Sequence, residues 1–125
     1  MPQREPARSQ VRAFCNMIAC DIHPLNNLRV MNYIKNELGE DPTGDWYAHW
    51  IHEGFKAAEA IASDGPYVLG DEVTLADVFL VPQVYNARRF NVPLDNYPKL
   101  VASVDHCNEL TAFQGAAPEA QSDAG

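Results

Sequence analysis

Apolar residues recur every three or four positions through most of this chain, and that spacing predicts helices. Val11, Phe14, Ile18, Ile22, Leu25, Leu28, Met31, Ile34 and Leu38 mark one helical face across residues 7–38. Pro24 falls in the middle and leaves the carbonyl of Cys20 without a donor, so a kink or a two-part helix is expected. Gly39 suits the left-handed position just past a helix end. Residues 40–44, rich in acid, Pro and Gly, read as a turn. A second stripe of Tyr47, Trp50, Ile51, Phe55, Ala58, Ile61 and Ala62 predicts a helix over residues 45–63, capped by Asp45. Asp64-Gly65-Pro66 stops it. Tyr67-Val68-Leu69 is apolar but has no second strand to pair with, and reads as a packed loop. A last clear helix begins near Pro98, a residue that suits the first helical position. Its inner face is Leu100, Val101, Val104, Cys107 and Leu110.

Residues 70–90, GDEVTLADVFLVPQVYNARRF, organise the rest. Thr74 stands at an N-cap with Asp77 three positions on, a capping box. Val73 and Val78 flank that box as a hydrophobic staple. From Leu75 to Tyr85 the apolar residues cover nearly the whole circumference, the mark of a helix inside a bundle. Pro82 cannot donate to the carbonyl of Val78, so a kink is expected there. Arg88 and Arg89 fall in the last turn, where cations suit the negative end of the helix dipole. The reading is all-α: four helices, two of them long, with essentially no strand.

Composition adds limits. At 125 residues the chain is one domain, and 46% hydrophobic residues give it a core. A net charge of −8 argues against nucleic acid or an anionic membrane as partner. There is no apolar run of membrane-spanning length and no signal-peptide pattern. Cys15, Cys20 and Cys107 form no CxxC pair and leave one over, which fits a reducing cytoplasm; all three read as core residues rather than nucleophiles. By position, residues 1–6 look like a linker remnant, 7–113 the helical domain and 114–125 a flexible tail.

Candidate chemistry is sparse. His49, His52 and Glu53 share a helix face, but their order does not match a zinc motif and no third ligand is evident, so no metal is expected. His23, Asn26, Asn27 and Arg29 occupy a polar arc after Pro24, which on spacing alone is a solvated face. Asp77 is explained by its capping role and is not assigned as a catalytic acid; no residue is. Dipole complementation and a surface ion pair account for at least one of Arg88 and Arg89; the functional reading of Arg89 is a bidentate clamp on a carboxylate.

GDEVTLAD followed by VFLVPQVYNARRF resembles the central helix of a glutathione transferase C-terminal domain. LVPQVYNARRF, together with ACDIHPLNNLRV at residues 19–30, is similar to the zeta class, which includes maleylacetoacetate isomerase and maleylpyruvate isomerase. The likeness covers residues 11–113. It implies a glutathione-transferase C-terminal-type helical bundle and glutathione as cofactor. Matched to the class motifs, Arg89 is the substrate-binding arginine of the NAxRF pattern. Asn26 stands for an amide that contacts substrate or glutathione, and His23 and Arg29 match ligand-contacting positions. Arg88 fills the variable place and is expected on the surface.

The class makes and positions its glutathione thiolate in a thioredoxin-like N-terminal domain, and none of that domain's signatures occurs in this chain. The expectation is therefore the substrate-binding half of a cytoplasmic, glutathione-dependent cis–trans isomerase, inactive alone. Its partners would be the missing thioredoxin-like domain, a small acidic substrate and a second copy in a homodimer. A reading from another class is a stand-alone helical protein-interaction module. HPLNNLR and NARRF favour the isomerase, because a scaffold has no use for a basic pocket.

Overall fold

The computed structural model describes residues 5–122. In chain order it contains α1 (Glu5–Asn16), a π-helical turn (Met17–Ile22), α2 (His23–Asn26), α3 (Leu28–Leu38), α4 (Asp41–Ile61), α5 (Leu75–Arg89), α6 (Pro98–Asn108), α7 (Thr111–Ala116) and a short 3₁₀ turn (Pro118–Ala120). No strand occurs among the described residues; Tyr67 and Gly70 make a single isolated bridge. Helix α5 packs between α1 and α6, while α4 meets the π turn, α2, α3 and α6. Phe14 and Ile22 from the first arm, Ile51 and Phe55 from α4, Leu80 and Val84 from α5 and Leu100 from α6 are fully buried together.

The first arm divides, but not at Pro24. The bonding pattern loosens before the proline: the His23 N–H reaches back five residues to the Ile18 carbonyl. A π turn of this kind adds a residue without ending the helix. The true break is Asn27, extended at φ −71° and ψ 167°, whose side chain accepts from the Val30 N–H at 3.1 Å and starts α3. The indole Nε1 of Trp46 donates to the Leu25 carbonyl beside this break. Opposite the π turn, Gly54 of α4 leaves room for Ile22; a Cβ there would run into the isoleucine side chain. Leu28 and Leu38, expected in the stripe, are exposed at the two ends of α3, while Met31 and Ile34 between them are buried.

Helix α4 starts at Asp41, four residues before the expected Asp45. Pro42 lies in its first turn, where the missing N–H costs nothing. The predicted turn at 40–44 therefore shrinks to the joint at Gly39, φ 96°. Glu5 and Pro6, expected in a linker, already belong to α1; residues 1–4 lie outside the described part. The predicted tail begins inside α7, which ends at Ala116, and carries the separate 3₁₀ turn at Pro118–Ala120; residues 123–125 lie outside the described part.

Helix α5 begins as its sequence predicts. Thr74 Oγ1 accepts from the Ala76 N–H at 3.2 Å, and Asp77 Oδ2 accepts from the Thr74 N–H at 2.9 Å. Asp77 does more than cap. It is fully buried, and its Oδ1 accepts from the Val68 N–H at 3.0 Å, which ties the preceding loop to the helix start. Pro82 sits inside a helix that continues to Arg89. The end is a Schellman motif: the Val92 N–H bonds to the Ala87 carbonyl at 2.8 Å and the Asn91 N–H to the Arg88 carbonyl at 3.1 Å. Asn91 takes the left-handed conformation this needs, φ 58°.

Two expectations for α5 fail. Val73 and Val78 are both exposed, so they form no buried staple. The helix is not buried all round either: Ala76, Leu80, Val84 and Ala87 face the core, while Leu75, Val78 and Phe79 face outward. Composition predicts that an apolar face will be covered, and nothing in the described residues covers this one. Helix α6 is held by a contact that local spacing hides. The carboxylate of Glu59 on α4 accepts from the Lys99 and Leu100 N–H groups at 2.8 and 3.1 Å, an anion on the positive end of a helix.

Candidate functional site

The Schellman ending of α5 fixes two adjacent arginines with different surroundings. Arg88 pairs with Asp105 of α6 at 3.3 Å. Arg89 is exposed and forms no ion pair among the described residues. Its guanidinium lies 5.6 Å from the centre of the Phe90 ring. Tyr47 of α4 packs on the same ring, with centroids 4.5 Å apart. Burial pushes the Tyr47 phenol up to about 12, against the opposing pull of the Arg89 charge.

Beside the arginines runs a groove of about 850 Å³. Val81, Pro82 and Tyr85 of α5 form one wall, and Val104, Phe113 and Ala117 contribute the other. Arg88 and Arg89 line it at the C-terminal end of the α5 wall. Apolar walls with cationic side chains at one end suit a small organic acid.

The polar arc after Pro24 is split by the break. Asn27 is used as the α3 cap. Asn26 is buried at 7% exposure, and its Nδ2 has no hydrogen-bond partner. His23 and Arg29 are exposed. None of these four residues lines the groove that holds Arg89. The structure thus joins Arg89, Phe90 and Tyr47, and leaves His23, Asn26 and Arg29 as a separate group around the α2–α3 joint.

On the outer face of α4, His52 Nδ1 lies 2.6 Å from the Tyr97 hydroxyl, so one member of the His49–His52–Glu53 set has an internal partner. Cys15 and Cys107 are buried as expected, but Cys20 is exposed on the π turn. Burial pushes Cys15 up from its ordinary value. Burial, then the charge of Asp77 and the thiol's hydrogen bond to it, pushes Cys107 up to about 12. A thiol reagent at neutral pH should therefore modify Cys20 in the native chain, and Cys15 and Cys107 only after unfolding. Mass spectrometry of digests after timed labelling checks this; early labelling of Cys107 would contradict the packing. The unfolded thiol ionises near 9.0 while the folded one holds its proton to about 12. This contribution to stability is complete below pH 9.0 and is lost as pH rises towards 12.

The family model described as "Glutathione S-transferase, C-terminal domain" matches residues 50–102. The probable maleylacetoacetate isomerase of Vibrio cholerae is 44% identical over 99% of this chain and 60% of that protein. A holo structure of maleyl pyruvate isomerase, a bacterial zeta-class glutathione S-transferase, superposes with a TM-score of 0.96 at 43% identity, covering 100% of this chain and 62% of the other. The chain belongs to the zeta class of glutathione S-transferases. It corresponds to their C-terminal helical domain, and it spans about 60% of the length of the relatives first matched. Maleylacetoacetate isomerase from Anaeromyxobacter dehalogenans, solved with dicarboxyethyl glutathione and citrate bound, shares 35% identity and a TM-score of 0.95 over 99% of this chain and 57% of that one.

Two features of this zeta-class domain escape a reading of its sequence. Glu59 and Lys99 meet across forty residues, with no local signal. Tyr47 had one: a tyrosine in an otherwise hydrocarbon stripe brings a hydroxyl that must end somewhere polar.

Proposed function

We propose that this domain is the substrate-binding half of a glutathione-dependent cis–trans isomerase acting on maleylacetoacetate or maleylpyruvate. The observation that carries the reading is Arg89: a guanidinium without an ion-pair partner among the described residues, at the end of an apolar-walled groove. In this role Arg89 holds a substrate carboxylate in a two-pronged contact, and the groove walls keep water from the hydrocarbon of the substrate. Asn26, His23 and Arg29, which lie apart from this groove at the α2–α3 joint, enter the reading only through their match to the class motifs.

The buried Asn26 amide, with an N–H that meets no internal acceptor, fits a carbonyl or carboxylate of glutathione. When bound, glutathione supplies the thiolate nucleophile. The outward Leu75, Val78 and Phe79 face of α5 is the surface on which a thioredoxin-like domain would sit. A homodimer and a cytoplasmic location follow from the same reading. Among the described residues no helix is long and apolar enough to cross a membrane.

The test is a pair of assays with glutathione and each maleyl acid. The pure chain should show no turnover, since no residue among those described is arranged to activate a thiol. Fused behind the N-terminal part of the Vibrio cholerae relative, it should isomerise at least one of the two acids. Turnover by the pure chain, or a folded fusion that binds glutathione but isomerises neither acid, overturns the reading.

A further inference from the structure

A second pocket, of about 340 Å³, is built from the π turn, α2 and α4, and it shares no residue with the groove beside Arg89. Met17 and Leu25 of the first arm and Trp50 of α4 give it apolar walls. Asp21 and Glu53 bring one carboxylate from each side, and no basic side chain is among the residues that line it. Trp50 is half-buried and held by two neighbours: the His49 ring meets it at 4.7 Å and the Trp46 ring at 5.8 Å, both in edge arrangements. Trp46 in turn donates its indole N–H to the carbonyl of Leu25, itself a wall residue, which ties the two sides of the pocket together. Glu53 has Lys56 at 4.0 Å along α4, an exposed pair too weak to occupy it.

We infer that this pocket binds a small organic ammonium ion, its cationic head against Trp50 between the Asp21 and Glu53 carboxylates and its hydrocarbon against Met17 and Leu25. The face of an aromatic ring attracts a cation through its quadrupole, and indole does so best. The two carboxylates add an attraction that a neutral ligand of the same shape cannot use. A bare divalent ion suits the pocket poorly, because it needs six or more oxygen ligands and the other walls are apolar. An organic ammonium brings its own hydrocarbon to those walls. The net charge of −8 draws cations to the chain in general, and Trp50 makes this pocket select an organic one. The inference needs neither Arg89 nor the groove beside it.

The experiment titrates the full chain with choline and follows the indole N–H signals of its two tryptophans by NMR. The Trp50 signal should shift saturably. Choline should also slow the labelling of Cys20, an exposed cysteine that lines the same pocket. The neutral alcohol in which a carbon replaces the choline nitrogen has the same shape and should bind at least about tenfold more weakly. Asp21→Asn combined with Glu53→Gln keeps both side-chain shapes; it should weaken choline about tenfold and leave the melting temperature within about two degrees. Equal affinity for choline and its neutral analogue, undiminished binding by the double variant, or a Trp50 signal that does not move overturns the inference. The comparison of the two ligands needs only the wild type, so it decides the matter even where the double variant fails to fold.

Discussion

Asp77→Ala should lower the stability of this domain by about 3–5 kcal/mol, the largest loss expected from any single truncation of a polar side chain in it. The reason is where its two oxygens go. One takes the Thr74 N–H at 2.9 Å and the other the Val68 N–H at 3.0 Å, with the Cys107 thiol 3.7 Å from the same oxygen. Truncation leaves two backbone donors without acceptors and opens a hole in a fully buried site. A capping residue at the surface costs about 1 kcal/mol, which is the figure for Thr74→Ala. The difference between the two variants reports what Asp77 adds beyond an ordinary cap: the bond to Val68 together with its buried packing. Urea unfolding of both, with m-values compared, is the measurement. Equal losses would mean that the loop before α5 is not held by Asp77.

Arg89→Ala should reduce kcat/KM by about 10- to 1,000-fold in the domain fused to a thioredoxin-like partner, while Arg88→Ala should change it little. The two side chains differ in what they already hold. Arg88 is paired with Asp105 across α5 and α6, a half-exposed bridge worth well under about 1 kcal/mol. Arg89 has no such commitment among the described residues and lines the groove. A paired arginine would have to break its bridge before it could hold a ligand. Kinetics of both variants on one maleyl acid decide the matter. Equal effects, or a larger effect at Arg88, would assign the clamp to the wrong residue.

Legibility followed the range of each interaction. The capping box at Thr74 and Asp77 spans three residues and could be read directly, as could the arginines in the last turn of α5. The start of α4 was misplaced because Pro42 serves equally in a turn and in a first helical turn, and only the packing of Trp46 against the Leu25 carbonyl decides between them. The break at Asn27 was displaced from Pro24 because a π turn absorbs the lost bond upstream, a choice made by Ile22 packing at Gly54 rather than by local propensity. The outer face of α5 was read as buried because composition records that a face is apolar and not what lies against it. In the candidate site, Arg89 was legible as a cation in the last turn of α5. Tyr47 was not, because its neighbour Phe90 is more than forty residues away.

The π turn at Met17–Ile22 also sets a phase. Each residue of a regular helix advances the direction of its side chains by about 100°. One extra residue carried in the wider turn therefore rotates everything after it, relative to α1, by roughly that angle. Asn26 points inward because this offset is present, and His23 points outward for the same reason. A one-residue deletion within 17–22 would restore regular bonding and improve the local helix. It would also swing the asparagine amide out of its buried position and carry a neighbouring side chain into it. The irregular turn is thus an angular setting for the arm that carries Asn26, and a more regular helix at this point would aim different residues inward.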